Sequence, residues 1–68
     1  MLGAYQTPDG AWRVEVYRER GEQWYRLLHD GRVYWYYGYP CEKVVLGTLK
    51  AVLVDAGVDM ADLAPVEP

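Results

Sequence analysis

The fold is decided by residues 12–39, which run WRVEVYRERGEQWYRLLHDGRVYWYYGY. Val, Tyr and Trp dominate this stretch, and these residue types suit the pleated surface of a β-sheet. Asp30-Gly31 is a strong signal for a two-residue hairpin turn of type I′, and Arg20-Gly21-Glu22 indicates a short loop between two β-rich runs. The stretch therefore predicts a three-stranded antiparallel meander over about residues 11–39, preceded by a turn at residues 8–10.

The segment after Pro40 changes to helical periodicity. Its apolar residues recur on one helix face, at Val45, Leu46, Leu49, Val52 and Leu53. This spacing predicts a helix over about residues 42–56. Gly57 is placed to end the helix in a left-handed cap, and Asp59 to cap a short helical turn. We expect residues 64–68 to fray.

These elements predict a single α+β domain over residues 1–68. It consists of a three-stranded antiparallel β-meander, one packed α-helix and a short C-terminal helical turn. A chain of 68 residues is too short to hold two cores. Its hydrophobic share of 51% is too high for a disordered chain.

The alternation of side chains along each strand predicts which ones face the core. For the first and third strands the predicted core set is Trp12, Val14, Val16, Val33, Trp35 and Tyr37. The middle strand is ambiguous, because Tyr25, Leu27 and His29 compete with Trp24, Arg26 and Leu28 for the inner face. We favour Tyr25 and Leu27, since Arg26 is costly to bury.

The opposite face of the sheet is predicted to carry Tyr, Trp and Arg. Wet sheet faces usually carry Lys, Glu, Thr and Ser, whereas Tyr, Trp and Arg are enriched at binding hot spots. The predicted partner-binding residues are Arg13, Tyr17, Trp24, Arg26, Tyr34 and Tyr36. An alternative interpretation is that these side chains stack on one another and only stabilise a small sheet.

The sequence offers little catalytic chemistry. A single His and a single Cys exclude an intramolecular disulfide, a Cys-based zinc site and most catalytic triads within one chain. We interpret His29 as a surface residue at a hairpin corner and Cys41 as a small buried residue. The acids Asp55, Asp59 and Asp62 are typical of a solvated face. We therefore predict no enzyme, no catalytic residues, no cofactor and no metal site.

The charge distribution indicates whether the partner is a protein or a nucleic acid. Residues 1–40 hold five Arg and five acids, so the whole net charge of −3 lies in residues 41–68. A neutral sheet in an acidic chain lacks the phosphate attraction that dominates nucleic-acid affinity. We therefore predict a non-catalytic binding or regulatory protein that contacts another protein chain or itself, as a homodimer. The second hypothesis is a nucleic-acid-binding module that reads DNA or stacks bases with the same face.

Location follows from two further features of the composition. No apolar run approaches the ~20 residues of a membrane span, so we expect no membrane partner. The lone Cys favours a reducing compartment, and we expect a cytoplasmic protein.

Two resemblances accompany this interpretation. The order of meander and helix over about residues 11–56 resembles the plant AP2 domain and the arm-binding domain of tyrosine integrases, which implies a sheet that enters the DNA major groove. Those domains are basic, unlike this chain.

The segments TPDGAWRVEV (7–16), YRLLHDG (25–31) and DMADL (59–63) are similar to small uncharacterised proteins of actinobacteria and their mobile elements, a likeness that implies no activity. The run at residues 34–39 departs from that pattern.

Overall fold

A computed structural model describes residues 1–66 of the chain. The elements in chain order are β1 (Gly3–Gln6), β2 (Trp12–Glu19), β3 (Glu22–His29), β4 (Arg32–Tyr39), α1 (Glu42–Ala56), a 3-10 turn (Met60–Asp62) and β5 (Ala64–Pro65). The sheet is antiparallel, with its strands in the order β4-β3-β2-β1-β5. The predicted α+β class is confirmed.

The predicted number of three strands is wrong, because two short strands extend the sheet beyond β2. Ala4 of β1 lies opposite Glu15 of β2, and Tyr5 of β1 lies opposite Pro65 of β5. With four and two residues, β1 and β5 are too short to show a clear alternation of polar and apolar side chains. Ala64 and Pro65 are thus held by the sheet, while the fraying expected for residues 67–68 lies outside the described residues.

Both hairpin turns of the meander have the backbone conformation that their residue types favour. Arg20 and Gly21 have φ of 52° and 80°, and Asp30 and Gly31 have φ of 52° and 82°. Two consecutive residues at positive φ are the mark of a type I′ turn, which matches the twist of the flanking strands. The first turn is one residue shorter than predicted, because Glu22 already belongs to β3.

The helix and its ends follow the predicted pattern. α1 covers the predicted residues and ends at Gly57, whose φ of 77° gives the left-handed cap. Asp59 then accepts a hydrogen bond from the Ala61 amide at 2.9 Å and begins the 3-10 turn.

The core lies between α1 and one face of the sheet, the inner face. The helix contributes Val45, Leu49 and Leu53, and the sheet contributes Val14, Tyr25 and Leu27, with Val58 closing one end. The inward orientation predicted for Tyr25 and Leu27 is therefore confirmed. Trp12, Val16, Trp35 and Tyr37 pack against this core as partly buried side chains.

A β-bulge in β4 places two side chains on the faces opposite to those predicted. Leu27 lies opposite Trp35 and Leu28 lies opposite Val33, so Tyr34 is the extra residue. Val33 was predicted in the core but is 50% exposed, on the same face as Leu28. Tyr34 was predicted to point away from the helix but meets the ring of Trp12 at 5.1 Å, on the inner face. A one-residue shift of register exchanges faces, which explains both errors.

Candidate interaction surface

The face of the sheet turned away from α1, here called the outer face, holds five of the six predicted contact residues. They are Arg13, Tyr17, Trp24, Arg26 and Tyr36, and the strand pairing brings them together. Tyr17 lies directly opposite Trp24, and Arg26 directly opposite Tyr36. Tyr34, the sixth, is excluded from this face by the bulge in β4.

Glu15 is the centre of the outer face, although it was absent from the predicted set. Its Oε2 accepts a hydrogen bond from Arg13 Nε at 2.9 Å, and its Oε1 accepts from Arg26 Nε at 2.9 Å and from Tyr17 Oη at 2.8 Å. These side chains cover Glu15 and leave it only 8% exposed. The four residues are called the Glu15 cluster below. A sequence signal for Glu15 does exist, because alternation places Arg13, Glu15 and Tyr17 on one face of β2. Once β3 is paired so that Arg26 lies on the same face, the Glu15 carboxylate is the oppositely charged partner of both arginines.

The cluster fixes the charge state of its members. Burial alone would raise the pKa of Glu15, but the hydrogen bonds from Arg13, Arg26 and Tyr17 outweigh burial and lower this pKa from 4.5 to about 2. The same contact with Glu15 raises the pKa of Tyr17 and that of Arg26. At neutral pH the cluster therefore holds two guanidinium groups, one carboxylate and a neutral phenol.

An aromatic pair lies beside the cluster. The indole of Trp24 rests on Gly38, so closely that a Cβ at Gly38 would lie 2.0 Å from an indole carbon. Tyr36 stacks on Trp24 with ring centroids 6.2 Å apart and an interplanar angle of 25°. Tyr36 remains 64% exposed. Gly38 is thus the residue that lets Trp24 lie flat against the sheet.

The outer face has features of both interpretations made from the sequence, a surface for binding a partner and a set of side chains that stabilise the sheet. The Arg26 guanidinium lies 5.5 Å from the centre of the Tyr17 ring and bonds Glu15, so part of the face is occupied by contacts within the sheet. Within residues 1–66, no buried side-chain N or O atom lacks a hydrogen-bond partner. The polar centre is satisfied internally, while the Trp24–Tyr36 pair presents ring surface at its side.

The single His and Cys lie away from this face. His29 stacks on Trp12 at 4.0 Å, with an interplanar angle of 14°, in the partly exposed position expected of a hairpin corner. Cys41 was predicted to be buried but is exposed, because it precedes the first turn of α1. In residues 1–66, no three His, Cys, Asp or Glu side chains are grouped so that they could hold a metal ion.

A second concave surface lies on the helix side. α1 packs across β3 and β4, which leaves an open groove of about 470 Å³ beside β1 and β2. Apolar side chains dominate its walls, among them Leu2, Tyr5, Val16, Leu46, Met60 and Leu63. From α1, the apolar side chains that line this groove are Leu46 and Leu49. In the described part of the chain, no helix is long and apolar enough to span a membrane.

No protein-family model, curated protein or solved structure matches this chain. Its function is therefore inferred from the chemistry of the outer face.

Proposed function

We propose that this chain is a non-catalytic binding protein that contacts another protein chain through the outer face of its sheet. The contact residues are Arg13, Tyr17, Trp24, Arg26 and Tyr36. The observation that carries the proposal is the Trp24–Tyr36 pair beside two arginines on an uncovered sheet face. Trp, Tyr and Arg are the residue types most enriched among those that dominate binding energy.

The rings of this face are held in place before any partner arrives. Trp24 is seated on Gly38, and Tyr36 is stacked on Trp24. Ordering side chains at an interface costs roughly 0.5–1.5 kcal/mol for each flexible one, so preordered rings bind with a smaller loss of entropy. The pair is therefore suited to act as an anchor.

The arginines beside the anchor are also held in place. Glu15 fixes the orientation of Arg13 and Arg26, whose side chains keep 30% and 41% of their surface exposed. An arginine held in this way can still donate to a partner through its remaining N–H groups. Such groups suit the polar rim that surrounds the anchor of a protein interface.

A nucleic-acid partner ranks second, on the same face. Both arginines already bond Glu15, and the β2–β3 hairpin ends with Glu19 opposite Glu22. A phosphate group approaching this face would meet these carboxylates, which removes much of the usual electrostatic attraction. A mobility assay with single- and double-stranded DNA across a salt series tests this alternative, because phosphate contacts give a steep salt dependence.

We propose a cytoplasmic location for this activity. The exposed thiol of Cys41 has no second cysteine in the chain to pair with, which suits a reducing compartment.

Site-specific photo-crosslinking tests the proposed function. A benzoylphenylalanine replaces Tyr17, on the outer face, and in a matched control it replaces Val54, which is 78% exposed on α1. The probe is placed on β2 so that it reports the outer face and not the edge of the sheet. We expect a discrete crosslinked protein product from position 17 and none from position 54. Equal products from both positions, or none from position 17, would overturn the proposal.

A further inference from the structure

The two edges of the sheet are protected to different degrees. The outer side of β1 is covered by β5, whose Pro65 has no N–H to offer. β4 forms the opposite edge over eight residues, and no strand within residues 1–66 pairs with its outer side. A long uncovered edge strand presents backbone N–H and C=O groups that can pair with another chain.

The direction of the backbone groups in β4 follows from the two hairpins. A two-residue turn makes its flanking pair, Glu19 and Glu22, a hydrogen-bonded pair, and such pairs alternate along an antiparallel ladder. Trp24 therefore bonds to β2, whereas Tyr25 bonds to Tyr37 of β4. The N–H and C=O groups of Tyr36 and Gly38, on either side of Tyr37, consequently point out from the edge of the sheet.

We propose that a second copy of this chain pairs with this edge, antiparallel and about a two-fold axis at Tyr37. The axis places Tyr36 of each copy opposite Gly38 of the other. Both residues point their N–H and C=O groups outward, so the two pairs form complete hydrogen-bonded rings. The inference goes beyond the proposed function, because it rests on backbone pairing at the edge of the sheet, although Tyr36 and Trp24 of the outer face also contribute side-chain contacts.

Steric fit favours a second copy as the occupant. On the outer face, the large Tyr36 of one copy meets the glycine of the other, and there the indole of Trp24 lies ready to contact it. On the inner face, the axis places Trp35 opposite Tyr39 and Tyr37 opposite Tyr37 of the partner subunit. These rings already stack along β4, at 6.2 Å and 6.3 Å, so the pairing extends an existing aromatic row.

Charge favours the same occupant. Residues 33–40 contain no charged side chain, although the chain carries a net charge of −3. Two copies can therefore meet along this segment without placing like charges opposite each other. The bulge at Tyr34 and the missing N–H of Pro40 limit the pairing to residues 35–39.

Amide hydrogen exchange on the unmodified protein, at micromolar and millimolar concentrations, tests the pairing directly. Sedimentation equilibrium at the same concentrations reports the oligomeric state. We expect a dimer at high concentration, with the amides of Tyr36 and Gly38 protected in the dimer and exchanging fast in the monomer. A chain that stays monomeric at millimolar concentration overturns the inference. A dimer in which these two amides stay unprotected overturns it as well.

Two substitutions at one position isolate the backbone contribution. Tyr36→Pro removes the outward N–H, which the fold of the monomer does not use, while Tyr36→Ala removes the ring and keeps the N–H. Each copy carries the substitution, so the dimer loses two hydrogen bonds. We therefore expect Tyr36→Pro to raise the dimer Kd at least about tenfold relative to Tyr36→Ala. Circular dichroism of both variants checks that the monomer is folded, and equal Kd values in folded variants contradict the pairing.

The tests of the edge pairing and of the outer-face contact can succeed or fail independently. Crosslinking from position 17 in a chain that stays monomeric supports the outer-face contact and overturns the edge pairing. A dimer paired through the edge, with no crosslinked product from position 17, supports the edge pairing and overturns the outer-face contact.

Discussion

Arg26 lies directly opposite Glu15 across the β2–β3 ladder, and its Nε donates to Glu15 Oε1 at 2.9 Å. This cross-strand pair holds an ionised carboxylate on a sheet face that the helix does not cover. Arg13 and Tyr17 bond the same carboxylate from its own strand. The pair thereby ties two adjacent strands together and orients the groups proposed to meet a partner.

Replacing Glu15 tests the structural contribution of the cluster. Glu15→Gln keeps the size of the side chain but leaves two guanidinium groups without their carboxylate. We expect the free energy of unfolding to fall by about 1–3 kcal/mol, less than for a fully buried ion pair, because the arginines are partly exposed to screening solvent. Urea denaturation measures the change. The matched control Glu19→Gln, on an exposed end of β2, should change it by less than about 0.5 kcal/mol.

The depressed pKa of Glu15 predicts a specific pH dependence of stability. The folded value is about 2 against an ordinary value of 4.5, so the unfolded chain binds the proton more readily. The stabilisation is fully present above pH 4.5 and is lost as the pH falls towards 2. Urea titrations at pH 7, 4.5, 3 and 2 should show wild-type stability falling towards that of Glu15→Gln. Parallel pH profiles for the two proteins would contradict the assigned shift.

Gly38 should tolerate no side chain while Trp24 rests on it. Gly38→Ala places a methyl group 2.0 Å from an indole carbon, and we expect a loss of about 1–3 kcal/mol in the free energy of unfolding. Gly47 is the matched control, since it lies inside α1 with open space around its Cβ position. Gly47→Ala should stabilise the protein by about 0.5–1 kcal/mol.

A double-mutant cycle assigns the cost of Gly38→Ala to the indole. In a Trp24→Ala background, the methyl group at position 38 meets no ring, and the substitution should become close to neutral. An unchanged cost in that background would show that the backbone of β4, and not Trp24, requires glycine.

The sequence predicts most of the fold where local chemistry is strong. The two-residue turns at Arg20-Gly21 and Asp30-Gly31 define the meander, and the helical spacing after Pro40 with the Gly57 cap defines α1. The strand before the turn at residues 8–10 was missed, because its four residues give too little pattern, although its partner β2 follows directly after that turn. β5 was missed because it has two residues and pairs with β1, about 60 residues away along the chain. Pairings so distant in sequence leave no local signal.

The interaction surface could be predicted only in part, for a similar reason. Alternation placed Arg13, Tyr17, Trp24, Arg26 and Tyr36 correctly on one face. It misplaced Tyr34, because a bulge depends on how β3 and β4 fit together and not on the composition of either strand. Glu15 was overlooked because its importance arises from the register that puts Arg26 opposite it.

Removing β5 tests whether the C-terminal segment is part of the sheet. The Val66 amide donates to the Ala4 carbonyl at 2.9 Å, and Ala64 lies opposite Gln6. A chain that stops after Leu63 should lose about 1–2 kcal/mol of unfolding free energy, since a few net hydrogen bonds are removed. A chain that stops after Val66 keeps β5 and is the control. Equal stability of the two truncations would contradict a paired β5.

Contact between the outer face and another protein can be tested by crosslinking from position 17 with and without Trp24→Ala. Trp24 is the anchor of the proposed contact, so its removal should weaken the contact while circular dichroism still reports a folded chain. We expect a discrete product from the protein that retains Trp24 and at least about a tenfold lower yield from the Trp24→Ala variant. An undiminished yield from that variant would contradict this contact.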